Sequence, residues 1–189
     1  MTTGVRVIAG KWRGRRLTAP SGLATRPIPD RVKQSLFDTL GQSLDGQRVI
    51  DVCSGSGSFG IEAGSRGAAE DHLIEEAPAA AEVITHNIHH VGEPSELILH
   101  QARYEDTLPS LTGFDLVFCD PPFPWFRDDP KRISAMLNLA AECITPEGLV
   151  LIRGEMGTKL PPTSHGLHMR DWKEYGRSWV AFLEIRKED

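Results

Sequence analysis

Asp120 stands at the end of an apolar run, Phe114-Asp115-Leu116-Val117-Phe118-Cys119, and is followed at once by Pro121, Pro122 and Phe123. The run reads as a buried strand. The prolines fix φ and supply no N–H donors, so the sheet stops there and a rigid turn begins. Such a turn offers a carboxylate, the Pro121 carbonyl and a flat aromatic face, a set suited to a planar base that bears an amino group. That amine is a poor nucleophile because its lone pair is delocalised into the ring. Two acceptors holding its hydrogens orient the lone pair and stabilise charge growing on nitrogen, and Phe123 can stack on a base taken out of its helix or loop. Asp120, Pro121, Pro122 and Phe123 are therefore the candidate catalytic set.

A second constellation is Val49-Ile50-Asp51-Val52-Cys53-Ser54-Gly55-Ser56-Gly57-Ser58-Phe59-Gly60. It reads as strand, glycine turn and helix start, with glycines allowing tight turning and close approach of a ligand to the backbone. Dinucleotide-binding proteins share this spacing, so Asp51 has to discriminate. A pyrophosphate would be repelled by a nearby carboxylate, whereas the sulfonium and ammonium of S-adenosylmethionine favour one. Leu73-Ile74-Glu75 then places an acid at a strand end, about 20 residues beyond the glycines, where it can accept both ribose hydroxyls; Glu76 is its neighbour and could substitute. Gln101 and Ala102 follow the next strand, where an amide could bond the adenine amino group. The candidate donor site is Asp51, Ser54, Gly55, Ser56, Gly57, Glu75, Gln101 and Ala102.

The third feature is electrostatic. Residues 1–35 hold eight cations against Asp30 alone, a net of +7, which leaves −12 on the rest of a chain whose total is −5. A basic arm on an acidic body predicts that the arm meets a polyanion. Lys11, Trp12, Arg13, Arg15, Arg16, Arg26 and Arg31 are the candidate RNA-binding residues, since guanidinium groups grip phosphates and an exposed indole stacks on an unpaired base. The competing reading of the same loop is a solvated surface with Trp12 tucked into the core.

The elements that must position these residues follow from periodicity. Val5 to Ala9 alternates and leads into a short basic hairpin or strand and loop; a Pro-rich linker over 19–29 precedes a helix from Asp30, its expected N-cap, to about Leu40, stopped by Gly41. From Arg48 the pattern alternates strands (48–53, 72–75, 96–100, 114–119, 147–153) with helices (58–66, 77–91, 131–143), ending in an antiparallel hairpin over 165–173 and 178–186. Short apolar strands separated by helices predict an α/β fold, a mostly parallel sheet covered on both faces. The expected division is a basic N-terminal extension, 1–45, and a catalytic domain, 46–189.

Composition excludes other classes. The 189 residues suffice for one core, and no apolar run approaches the roughly 20 residues that span a bilayer. With no secretory signature, a cytoplasmic protein is expected. Cys53, Cys119 and Cys143 sit in apolar runs and read as small core residues rather than disulfides or metal ligands. His86 and His90 have helical spacing for a metal, but no third ligand is evident nearby and no metal is expected.

The sequence resembles the RsmD family of 16S rRNA (guanine-N2)-methyltransferases across nearly its whole length. The resemblance rests on the run from Arg6 to Arg15, on Arg26-Pro27 with Asp30-Arg31-Val32-Lys33 and Leu36-Phe37, on Asp51 to Gly60 with Glu62-Ala63, on Asp120 to Phe123, and on Tyr175-Gly176-Arg177-Ser178. It implies a Rossmann-like class I methyltransferase with a seven-stranded sheet, an S-adenosylmethionine donor and a guanine of small-subunit rRNA as acceptor, in the particle or an assembly intermediate, and we expect a monomer. Asp51, Gly55, Gly57 and Glu75 would hold the donor and Asp120 to Phe123 the guanine, while the basic arm would grip RNA. Ser54, Ala77 and Gln101 depart from the family's usual pattern. By itself the Asp-Pro-Pro-Phe turn holds an amino group without naming its base, so an adenine-N6 or cytosine-N4 DNA methyltransferase, and a non-catalytic RNA-binding assembly factor, stand as alternatives.

Overall fold

Seven strands pair into one sheet in a computed structural model that describes residues 5–20, 28–163 and 166–186. The chain opens with a two-stranded antiparallel ribbon, β1 (Val5–Arg6) with β2 (Arg16–Leu17), and a helix, α1 (Asp30–Leu40). Then β3 (Arg48–Val52), α2 (Ser58–Ser65), β4 (Glu70–Ile74), α3 (Pro78–His90) and β5 (Leu97–His100) form consecutive crossovers. A single turn, α4 (Tyr104–Thr107), precedes β6 (Phe114–Cys119); another, α5 (Trp125–Asp128), precedes α6 (Pro130–Cys143) and β7 (Ile144–Glu155). The hairpin β8 (Leu167–Tyr175) and β9 (Ser178–Ile185) closes the sheet. Sequence pattern had given neither α4 nor α5, each too short to show a helical period, and it started β7 three residues late.

Spatial order is β5-β4-β3-β6-β7-β9-β8, with the first five strands parallel and β9 antiparallel to both neighbours. The winding reverses between β3 and β6, so their carboxyl ends open onto the crevice where open parallel sheets bind ligands. Val117, Val150 and Ile152 are fully buried against Ile133, Met136 and Leu137 of α6, while Val49, Leu116 and Leu151 meet α1 and α2 on the other face. Cys119 and Cys143 are buried as core residues.

Asp30 opens α1 but does not cap it; extended Pro29 holds the cap position, and Asp30 pairs instead with Arg6. An acid in the first turn still complements the helix dipole. Gly41, at φ +97°, ends the helix as expected.

Every residue of α2 is buried, because the sheet covers one side and the N-terminal ribbon the other. That double burial decides the fate of several cations. Lys33 is 1% exposed rather than part of a basic surface. Its Nζ donates to the Arg6 carbonyl (2.6 Å) and to Ser58 Oγ (3.0 Å), and pairs with Glu62 Oε2 (3.2 Å). Burial lowers the Lys33 pKa and the Glu62 carboxylate opposes that shift. Glu62 also accepts Arg66 Nε at 2.9 Å and the N–H groups of Ile8 and Ala9.

Trp12 is likewise buried, against Gly64 and Leu97, which corrects its expected role as an exposed stacking platform. The cause is close backbone approach: Lys11 N donates to the Ser65 carbonyl (2.8 Å) and Trp12 N to Ser65 Oγ (3.0 Å). A Cβ on Gly10 would fall 1.7 Å from that carbonyl, so only glycine fits. Lys11 pairs with Glu96 and Arg15 donates to the His90 carbonyl. Arg13, Arg15, Arg16 and Arg31 remain exposed, and Arg26 lies outside the described residues.

Candidate active site

The glycine turn divides its work among three positions. Gly55, at φ +58°, has room where a side chain would be, since an added Cβ meets nothing nearer than the Cys53 carbonyl at 4.0 Å. At Gly57 and Gly60 a Cβ would lie 2.9 Å from Leu73, so these glycines let α2 sit close on β4. Cys53, which precedes the turn, also takes a left-handed conformation, φ +60°, unusual for a residue with a side chain.

A pocket of about 240 Å³ opens at the carboxyl ends of β3, β4 and β6, and Gly55, Glu75, Ala102, Tyr104, Asp120 and Trp125 line it. Glu75 links two loops there: Oε2 accepts the Gly55 N–H and Oε1 the Ala77 N–H, both at 2.9 Å. A carboxylate has about four acceptor positions, so half of its capacity is unspent. Glu76 also lines the pocket but is bound by Arg132 at 3.2 Å.

Not every expected donor-site residue faces this space. Asp51 is fully buried beneath the turn, where Oδ2 accepts the Gly60 N–H (3.0 Å) and Oδ1 has no partner among the described residues. Burial pushes its pKa up to about 8. Asp51 therefore shapes the turn from below and does not line the pocket. Ser54 spends its hydroxyl on the carbonyls of Asp51 (2.6 Å) and Ile74 (3.2 Å), stapling β3 to β4. Ser56 gives its carbonyl to Asn87 Nδ2 (2.9 Å), and Gln101 is exposed outside the lining while Ala102 is within it.

At the end of β6, the Asp120 N–H donates to the Val52 carbonyl (3.2 Å), fixing the turn to β3. The Pro122 carbonyl is consumed by the Trp125 N–H (3.0 Å), which starts α5, whereas the Pro121 carbonyl accepts no hydrogen bond among the described residues. Asp120 and Pro122 of the turn line the pocket, whereas Pro121 is buried and neither it nor Phe123 is in the lining. Phe123 is half-buried. Of the aromatic run beyond the prolines, Trp125 lines the pocket and Phe126 packs edge-on against Trp179 at 5.3 Å.

The family model described as conserved hypothetical protein 95 matches residues 5–184. Ribosomal RNA small subunit methyltransferase D of Escherichia coli is 30% identical over 190 residues, covering 97% of this chain and 90% of that relative. The chain belongs to the RsmD family. A solved Thermus thermophilus protein, 27% identical, superposes with a TM-score of 0.79 over 96% of this chain and 99% of its own. TrmN from the same organism, at 18% identity and TM-score 0.71, spans 82% of this chain and 48% of TrmN and shares the fold.

In this RsmD family member the sequence reading missed one charged residue of the site. Arg153 of β7 is 6% exposed, and its Nε and Nη2 each donate to one Asp120 oxygen at 2.8 Å. The available signal was a lone cation inside the apolar run Val150-Leu151-Ile152-Arg153, on the strand beside the one ending in Asp120. Tyr104 was the other omission, while Trp125, read from sequence either as part of a lid over the base or as a core residue, lines the pocket. Arg132 lies 3.6 Å over the Trp125 ring and also approaches Glu105, holding that wall of the pocket together.

Proposed function

We propose that this RsmD family protein transfers a methyl group from S-adenosylmethionine to the exocyclic N2 amine of a guanine in 16S rRNA. The observation that carries the reading is the Asp120-Pro121-Pro122-Phe123 turn, tied by Val52 to the end of the glycine-turn strand and bringing Asp120 and Pro122 into one pocket with Glu75. The donor supplies an electrophilic methyl on a sulfonium. The residues present fit it: Glu75 has unspent acceptor capacity for ribose hydroxyls, Gly55 leaves the turn open, and Ala102 and Tyr104 form an apolar wall for an adenine.

Asp120 and the Pro121 carbonyl accept the two amine hydrogens and turn the nitrogen lone pair toward the donor. Both acceptors gain strength as positive charge develops on nitrogen, so they stabilise the transition state more than the ground state. Phe123 stacks on the base. No covalent intermediate is required of the protein: the S–CH3 bond breaks as the N–CH3 bond forms, and the proton given up by the nitrogen leaves along its hydrogen bond to the Asp120 carboxylate and on to water. The basic residues of the 1–45 extension, Arg13, Arg15, Arg16 and Arg31 foremost, hold the RNA backbone, and catalysis belongs to residues 46–189. The small subunit or an assembly intermediate is the substrate, met in the cytoplasm by a monomer.

The test is to incubate the protein and labelled donor with undermethylated small subunits, naked rRNA and duplex DNA, then to identify the labelled nucleoside. N2-methylguanosine from RNA is expected. Label in N6-methyladenine or N4-methylcytosine of DNA would overturn the acceptor, and donor binding without transfer on any substrate would make the protein an assembly factor. Replacing Arg13, Arg15 and Arg16 with Gln is expected to weaken RNA binding and flatten its salt dependence by about 2 units of log-log slope; an unchanged slope would remove the arm from the interface.

A further inference from the structure

Asp120 is a short side chain at a strand end, and the reading above asks it to meet an amine hydrogen in one orientation. Arg153 supplies the constraint. The guanidinium grips both carboxylate oxygens with parallel 2.8 Å bonds, the bidentate geometry that fixes a carboxylate in plane and rotation. The same group lies 5.0 Å from the Phe123 ring centroid, within the range of a cation–π contact. One buried cation therefore touches both the acceptor and the stacking ring of the turn. Its own strand is fixed by pairing on either side: Ile152 lies opposite Cys119 in β6, and Arg153 opposite Val180 in β9.

A purely structural role is a poor account of this placement. Buried ion pairs add little net stability compared with apolar residues of similar volume, and the three residues before Arg153 on β7, Val150, Leu151 and Ile152, are buried and apolar. A cation at this position costs desolvation and returns a defined carboxylate. Fork-on-fork pairing also uses only one acceptor position on each Asp120 oxygen, leaving the other for an amine hydrogen.

We propose that Arg153 is a positioning residue for methyl transfer, setting the Asp120 carboxylate and the Phe123 ring in a single arrangement before the base arrives. The inference rests on the reading of the Asp120 turn as the amine-holding element. It predicts a loss in turnover rather than in donor affinity, because Arg153 does not line the pocket beside Glu75.

The experiment compares Arg153→Ala, Arg153→Lys and Asp120→Asn in the full chain, measuring kcat, the KM values for donor and RNA, donor binding by titration, and thermal unfolding. Misplacing a reacting group by about 1 Å costs on the order of 100-fold in rate, so Arg153→Ala should lose about that factor in kcat with both KM values within roughly 3-fold. Arg153→Lys keeps the charge but not the fork and should recover about 10-fold of the loss. Millimolar methylguanidine should partly restore Arg153→Ala and leave Asp120→Asn unchanged. Wild-type kcat in a folded, donor-binding Arg153→Ala would overturn the inference, as would a loss in Arg153→Lys and Arg153→Ala alike that methylguanidine does not relieve. If Asp120→Asn itself keeps full transfer, the reading of the turn fails first, and the two failures are told apart.

Discussion

Glu62 and Glu75 are the same residue type in opposite states of satisfaction. Glu62, wholly buried between α2 and the N-terminal ribbon, accepts from Lys33, Arg66 and the N–H groups of Ile8 and Ala9, which uses up its acceptor positions. Among the described residues Glu75, at the end of β4, accepts only from Gly55 and Ala77, and Asp120 only from Arg153. The saturated carboxylate welds two parts of the chain together; the half-satisfied ones line an opening. Unspent acceptor capacity at a strand-end crevice, rather than charge as such, separates the candidate site from the structural junction.

The harshest way to break that contrast is Glu62→Ala, which strands two buried cations. It should cost about 3–5 kcal/mol in urea unfolding, and a loss below about 1 kcal/mol would mean that the junction is not held by its charges. Glu75→Gln attacks the other side. It should weaken donor binding by about 10- to 100-fold in titration, the worth of a charged hydrogen bond, with unfolding changed by less than about 1 kcal/mol. Equal damage to binding and stability would erase the distinction.

The smallest effect sharpens the contrast with a third kind of carboxylate. Asp71 is fully buried and neither oxygen has a partner among the described residues; burial, with the Asp51 charge adding to it, raises its pKa well above the usual range. Its neighbour Asp51 is pushed up to about 8. For groups raised in this way the folded state holds protons that the unfolded chain releases. The contribution of Asp51 is whole below about pH 4 and is lost as pH rises toward about 8, and that of Asp71 is lost as pH rises through its own raised value. Asp71→Asn should flatten that slope and gain about 1 kcal/mol at pH 8, read from unfolding at a series of pH values. A variant with the wild-type slope would show that the proton resides elsewhere.

Local chemistry made the central elements legible. The prolines after Asp120 end β6 whatever surrounds them, and Gly55, Gly57 and Gly60 demand a turn and a close helix from their lack of Cβ alone. Exposure was not legible, because docking decides it. Lys33 and Trp12 sit in a basic stretch that looks solvated until α2 is laid against it, and Glu62, the partner that makes burial tolerable, is 29 positions from Lys33. Arg153 was hidden for a related reason: its partner lies on an adjacent strand, and only register brings the two together. Asp51 was assigned from charge logic that takes the acid to face the ligand, whereas the Gly60 N–H draws it under the turn.

Asn87 is buried on α3; its Oδ1 accepts the Thr18 N–H at 2.8 Å, and its Nδ2 donates to the carbonyls of Thr18 and Ser56, each at 2.9 Å. One amide thus clasps the segment after the ribbon and the glycine turn at once. The N-terminal extension is consequently not a portable module: grafted onto another sheet of the same topology, it would need this helix and its asparagine to come with it, and a scaffold that received the arm alone would have a groove of missing hydrogen bonds where the two should lock.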